Sequence, residues 1–316
     1  MKRLGNLYQN IYDIENIASV YHSICKKVKD KRKKEYLKEN KLIYISKIYA
    51  TLKNKAYVVG PYNVFTIYEP KKRRIVSFNL YDKIINHLVS KYIILPAISP
   101  CLMECNIASR KGFGTRRGLE MQRKFNHICS IKYKKFYILK CDISKFFQNI
   151  NHDILKVKLQ KKIKDKDALD IIFKIIDNDT EGLSLGTMSS QLLAIFYLSD
   201  LDHYIKETLH IKYYVRYQDD FLLYHQSKEY LEYCLKQIKD FLLKEGLTLN
   251  KKTRLYTSKD KFIFLGRTPN GKYAKYRTLK RRLKKRDYLY RSKKIPLSSY
   301  ASSIIGYKYL IKKRAP

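Results

Sequence analysis

Acidic side chains are in short supply in this chain. Against 67 lysines and arginines it has 28 aspartates and glutamates, a formal net charge of +39. That imbalance argues against a basic partner and points to a polyanion, because each Lys or Arg that neutralises a phosphate releases a bound counterion. Richness in Lys, Ile, Tyr and Asn fits an AT-rich coding sequence, but such a bias leaves the shortage of acids unexplained. The six cysteines, Cys25, Cys101, Cys105, Cys129, Cys141 and Cys234, include no Cys-x-x-Cys pair and no neighbouring His cluster. Neither a zinc site nor a disulfide framework is expected, and a reducing cytoplasm is the expected setting. No run approaches the ~18 apolar residues of a membrane span. The polar start, Met1-Lys-Arg-Leu-Gly-Asn-Leu-Tyr8, lacks the apolar core of a signal peptide. A soluble, intracellular protein without a membrane partner is the expectation.

Hydrophobic residues make up 45% of the 316, enough to bury a sizeable core and too many for a disordered chain. Two or three closely packed subdomains are expected. Residues 6–55 alternate apolar and basic positions at helical spacing, which predicts a helical N-terminal extension with a solvated basic face. Gly60 and Pro61 open a turn, Val64–Tyr68 has strand composition, and Lys71–Arg74 makes a basic tip before Ile75 and Val76. Such a hairpin suits a triphosphate. Residues 80–98 repeat apolar positions three and four apart and predict an amphipathic helix, with Asp82 in its first turn, where the helix dipole favours an acid. Ser109–Gly118 is a basic, Gly-rich loop without P-loop spacing, better suited to backbone contact with nucleic-acid phosphates.

The chemistry gathers around Tyr213-Tyr-Val-Arg-Tyr-Gln-Asp-Asp-Phe-Leu-Leu-Tyr224, two apolar, aromatic-rich runs flanking Asp219 and Asp220. The pattern predicts a β-hairpin with acids at its turn. Adjacent like charges repel by about 1 kcal/mol even in water, so a cation should stand nearby. A third acid, Asp142, closes the β-rich run Phe136–Cys141, and a helix is expected near Asp153. An acid ending a buried strand, matched with a pair on a hairpin turn, is an arrangement that holds two Mg²⁺ ions roughly 3.5–4 Å apart. Hard oxygen donors suit Mg²⁺, with Mn²⁺ as a substitute.

Five segments, in order, carry a resemblance: Asp142-Ile-Ser-Lys-Phe-Phe147, Gly182-Leu-Ser-Leu-Gly-Thr-Met-Ser-Ser-Gln191, Tyr217-Gln-Asp-Asp220, Lys251-Lys-Thr-Arg254 and Phe264-Leu-Gly266. Together they resemble the successive palm motifs of a reverse transcriptase, from about residue 57 onward. The Leu185-Gly-x-x-x-Ser-Gln191 form, with Arg110-Lys-Gly-Phe-Gly-Thr115, is most similar to bacterial enzymes of diversity-generating retroelements. Antiphage-defence, retron and group II intron enzymes are the related alternatives.

The resemblance implies an α+β right-hand polymerase: an N-terminal helical extension (1–56), fingers and a fingers-palm segment (57–135), a palm with an antiparallel sheet (136–266) and a basic helical thumb (267–316). It implies that Asp142, Asp219 and Asp220 are catalytic metal ligands, helped by the carbonyl of Ile143. Lys71 and Arg73 would hold the triphosphate, and Phe147 would be the steric gate against a 2′-hydroxyl. Leu185, Gly186 and Gln191 would line the nucleotide and template pocket, Leu185 with a bearing on fidelity, and Lys252 would contact departing pyrophosphate. Phe264, Leu265 and Gly266 would form the primer grip. The implied partners are template RNA, primer and cDNA, deoxynucleoside triphosphates and a small accessory protein that helps bind RNA, in a bacterial or phage-encoded cytoplasmic setting.

Further along, Lys228–Glu245 has helical spacing and residues 247–256 read as strand. Residues 272–294 carry twelve Lys or Arg against the single acid Asp287, interleaved with tyrosines, as expected of a helix tracking an A-like duplex. Ser302–Leu310 predicts a short apolar closing helix. Two readings of other classes remain: an RNA-directed RNA polymerase, against which Phe147 argues, and an RNA-binding scaffold, against which the intact acids argue.

Overall fold

The computed structural model describes residues 3–67, 73–268 and 276–312, with side chains of the last segment described over 281–305. Three helices open the chain: α1 (Ile14–Cys25), α2 (Lys31–Glu39) and α3 (Lys41–Lys53). A hairpin of β1 (Tyr62–Ile67) and β2 (Arg73–Phe78) follows, antiparallel and in register from Tyr62↔Phe78 to Ile67↔Arg73. Next, α4 (Leu80–Val89) runs through a π-helical turn, Ser90–Ile94, into α5 (Leu95–Ile98), and after a loop comes α6 (Thr115–Lys132). Helix starts are set locally. The side chains of Asp13, Asp30, Asn79, Asn151, Asp165 and Ser227 each accept a backbone N–H from the first turn that follows. Asp165 also accepts from Leu7 and Tyr8 N–H at 2.7 and 2.9 Å, which ties the chain start to the middle of the fold.

The centre is a four-stranded sheet. β3 (Tyr137–Asp142) leads into α7 (His152–Gln160), α8 (Lys166–Asp177), α9 (Met188–Tyr197) and α10 (Ser199–His203); then come β4 (Tyr213–Tyr217), β5 (Asp220–His225), α11 (Lys228–Lys244) and β6 (Arg254–Thr257). The spatial order is β4-β5-β3-β6 and every pairing is antiparallel, the α+β palm expected of the sequence. Two further helices, α12 (Tyr276–Arg291) and α13 (Leu297–Lys312), follow the sheet.

Alternation along the strands sorts side chains to two faces. Leu139, Cys141, Tyr214, Phe221 and Leu223 turn into the main core, shared with the N-terminal helices. Ile138, Val215, Leu222, Tyr213 and Tyr224 turn the other way, to a smaller core with Ile107, Cys129, Phe262 and Phe264. Ile17, Ile48 and Leu52 are fully buried in the main core. At roughly 1.5–3 kcal/mol for each such side chain, residues 14–53 are a structural part of the palm's support.

Four expectations need correction. The segment from Leu80 to Cys101 is a helix long and apolar enough, by length and composition, to cross a membrane, yet most of it is buried inside the protein. Its apolar residues serve the core: it packs between α1 and α9, and Asn86 hydrogen-bonds Ser189 Oγ at 2.7 Å. Gly118 belongs to α6 and not to the preceding loop; a Cβ there would meet Ile107 at 2.1 Å and Leu265 at 2.7 Å. Of residues 247–256, only those from Arg254 onward join the ladder, with Leu249 making an isolated bridge to Ile143. The intervening turn wraps the end of β3, Asn250 N–H donating to Asp142 O at 2.7 Å. The final helix is also longer than 302–310, starting just past Pro296, whose carbonyl accepts Tyr300 N–H at 3.1 Å.

Candidate active site

Register brings the acids together. Asp142, the last residue of β3, is the direct cross-strand partner of Asp220, the first residue of β5. Tyr217 pairs with Asp220 across the β4–β5 hairpin, so Gln218 and Asp219 form a two-residue turn, with Gln218 at φ 55°. Ile143 N–H donates to Asp219 O at 3.1 Å, which docks the hairpin turn onto the end of β3. Segments about 77 residues apart in the chain thus place three carboxylates and the Ile143 peptide in one neighbourhood.

Asp220 is crowded electrostatically. Desolvation pushes its carboxyl up to about 6, Asp142 and Asp219 adding to the rise, while the ammonium of Lys140 opposes it. Lys140 Nζ makes an ion pair with Asp220 Oδ1 and lies 5.8 Å from the Phe264 ring centroid. Among the described residues no group of three or more His, Cys, Asp or Glu is drawn close enough to form a ready-made metal cage. The donor set nevertheless fits a hard divalent cation: carboxylate oxygens and a peptide carbonyl, with like-charge crowding that a cation relieves.

Beneath the turn lies a buried ion pair. The Arg216 guanidinium, with no exposed surface, donates to Asp202 at 2.7 and 2.5 Å, to Gln218 O at 3.0 Å and to Ile195 O at 3.2 Å. Tyr214 OH adds a third bond to Asp202 at 2.7 Å. Arg216 thereby ties the acid-bearing turn to α9 and α10. Sequence reasoning missed both Arg216 and Lys140. The available signal was a cation inside an otherwise apolar strand, which has to find an acid.

The other expected residues fall on several further segments. Phe147 follows β3 in a 3₁₀ turn, half-buried against Phe146, and its carbonyl accepts Leu183 N–H at 2.7 Å. Leu185 is half-buried, and its carbonyl accepts Val76 N–H of β2 at 2.8 Å. Gly186 has φ 122°, and a Cβ there would lie 2.4 Å from Val76 O, so the backbone that approaches this glycine is that of the β1–β2 hairpin. Gln191 is exposed; Ser109 Oγ contacts its Oε1 at 3.4 Å and accepts from Gln218 Nε2 at 3.1 Å, a polar chain back to the acid turn. Lys252 is exposed in the turn that wraps Asp142, its N–H bonded to Asn250 Oδ1 at 3.1 Å. Arg73 is exposed at the start of β2 near the hairpin tip, while Lys71 lies outside the described residues. Phe264 and Arg267 exchange backbone bonds of 2.9 and 3.0 Å around Leu265 and Gly266, both at positive φ, a tight turn set over the Lys140 face of the sheet.

An antiparallel palm with one acid ending its central strand, opposite a carboxylate pair on a hairpin turn, is an arrangement shared with template-directed polymerases. The family can be given more closely. The chain belongs to the reverse transcriptase (RNA-dependent DNA polymerase) family, whose model matches residues 53–268. Solved structures agree on the fold. A telomerase from Candida albicans, in complex with a TWJ fragment of telomeric RNA, superposes with a TM-score of 0.51 at 14% identity, over 68% of this chain and 45% of that one. Apo telomerase from Candida tropicalis, truncated of its C-terminal domain, gives 0.50 at 16% identity, over 67% and 54%. This chain thus spans about half the length of these two telomerases. No curated protein matches it in sequence.

Proposed function

We propose that this protein is an RNA-directed DNA polymerase, extending a primer with deoxynucleotides along an RNA template. The observation that carries the reading is the cross-strand pairing of Asp142 with Asp220, with Asp219 bonded through its carbonyl to Ile143. Asp142, Asp219, Asp220 and the Ile143 carbonyl are the groups that would hold divalent cations, Mg²⁺ or Mn²⁺. When bound, such ions supply the Lewis acidity that makes the primer 3′-hydroxyl a nucleophile and offsets charge on the leaving pyrophosphate. The chain's own residues do the rest. Arg73, with Lys71 two residues before it in sequence, supplies cations for the triphosphate. Phe147 presents an aromatic ring below the sugar, where a 2′-hydroxyl would collide. The Phe264–Gly266 turn carries the primer end, and Lys252, in the turn that wraps the end of β3, offers an ammonium to the departing pyrophosphate. The charge of +39 supports a nucleic-acid partner held over a long surface, with room for a small accessory protein. Six unpaired cysteines, five of them buried, suit a reducing cytoplasm.

The finer reading is an error-prone enzyme of a diversity-generating retroelement, with antiphage defence as the rival role. Its support is the Leu185–Gln191 segment, whose Leu185 lies between the β1–β2 hairpin and the palm. The deciding experiment is primer extension on an RNA template with Mg²⁺, comparing deoxynucleotides with ribonucleotides and the parent with an Asp219→Ala, Asp220→Ala form. Acid-dependent DNA product is the expected result; product from the double variant would overturn the assignment. Sequencing the product for errors opposite template adenine separates the mutagenic role from the rest.

A further inference from the structure

Lys140 stands where a charged side chain is costly. It lies on β3, the strand paired on both sides, opposite Leu222 of β5 and Arg254 of β6, and its side chain is only 16% exposed. An ammonium this enclosed needs a carboxylate. The register supplies one: Asp220 is two residues from Leu222 on the same face, a diagonal neighbour within reach of a long side chain. Asp142, two residues along β3, shares that face, and the Phe264 ring closes the other side of the ammonium at 5.8 Å.

We propose that Lys140 is a built-in counter-cation, which occupies Asp220 in the metal-free protein and must be displaced before a divalent cation can bind there. This rests on the polymerase reading of the three acids. The consequence is a metal site that is deliberately weak on its own. A cation arriving alone competes with an ammonium already in contact with the carboxylate. One arriving with a triphosphate brings further oxygen ligands that outweigh the ammonium, since Mg²⁺ is usually held by one or two carboxylates together with substrate phosphates. Lys140 thus couples metal occupancy to nucleotide occupancy, while Phe264 gives the displaced ammonium an aromatic face to rest on.

The test is Mn²⁺ binding to the nucleotide-free full chain, followed by the paramagnetic signal of free Mn²⁺. Lys140→Met keeps the side-chain length and removes the charge. It should tighten binding on the order of tenfold, Lys140→Arg should leave it weak, and Lys140→Met combined with Asp220→Asn should lose the gain. Unchanged or weaker Mn²⁺ binding by a folded Lys140→Met protein overturns the proposal. Asp142→Asn separates this from the underlying assignment. If it leaves Mn²⁺ binding intact, the acids are not the metal site and the polymerase reading itself fails. If it weakens binding while Lys140→Met has no effect, only the counter-cation falls. Should Lys140→Met not fold, reductive methylation of the parent protein gives the answer: Mn²⁺ should raise labelling of Lys140, and unchanged labelling counts against displacement.

Discussion

Asp142 and Asp220 face each other directly across the β3–β5 ladder, on the same side of the sheet as Lys140 and Phe264. Neither strand could present its acid there without the other, because a one-residue slip of register would turn Asp220 into the apolar core on the opposite face. The geometry makes the two carboxylates parts of one site.

Asp142→Asn and Asp219→Asn should therefore each lower DNA synthesis by about a hundredfold to a thousandfold or more, with thermal unfolding little changed. Primer extension and a melting curve on the same preparations check this. Retained synthesis in either variant would mean that the reaction uses other acids.

The Asp220 carboxyl gives a pH signature with a definite sign. Its folded value of about 6 lies above the ordinary 3.8, chiefly through desolvation. The stabilisation that comes from holding its proton is complete below the unfolded value and disappears as pH rises through about 6. Asp220→Asn removes that titration. The melting temperature of the variant minus that of the parent should climb between about pH 4 and 6 and level off above about 7. A difference that stays flat across the range would contradict the raised value.

Arg216→Met should destabilise the protein by about 3–5 kcal/mol, the usual result of leaving one buried charge without its partner. Here the orphan is Asp202, which has no exposed surface. Urea unfolding measures the loss. Changing Asp202 to Asn in the same protein should recover part of it, which a simple loss of packing volume would not do.

Gly186→Ala places a Cβ 2.4 Å from Val76 O, on a residue held at φ 122°. The β1–β2 hairpin must shift to make room, and Arg73 moves with it. The expected outcome is a raised KM for deoxynucleoside triphosphate with a smaller change in kcat. Equal falls in kcat and kcat/KM would place the effect on the reacting atoms instead.

Phe147→Ala should admit ribonucleotides. The ratio of deoxynucleotide to ribonucleotide incorporation should drop while deoxynucleotide synthesis persists. An unchanged ratio would leave Phe147 as a packing residue against Phe146.

Much of this could be read from one dimension. The paired acids at Asp219–Asp220, the strand ending in Asp142 and the order of the five palm segments are local patterns. Their chemistry depends on near neighbours: alternation marks a strand, and a turn needs only a few residues. The antiparallel palm followed from these. Other features depended on segments distant in the chain. Asn86 and Ser189, 103 residues apart, meet in a buried hydrogen bond that joins α4 to α9. Val76, far from Gly186 in sequence, occupies the space that a side chain there would need. Lys140 and Arg216 could each be seen as a cation in an apolar run, but which acid each meets is set by strand register and helix packing. Composition and motif determined what kind of chemistry the chain carries. Only the tertiary structure decided which charges face each other, because a Coulomb energy depends on separation in space and the order of residues does not supply that separation.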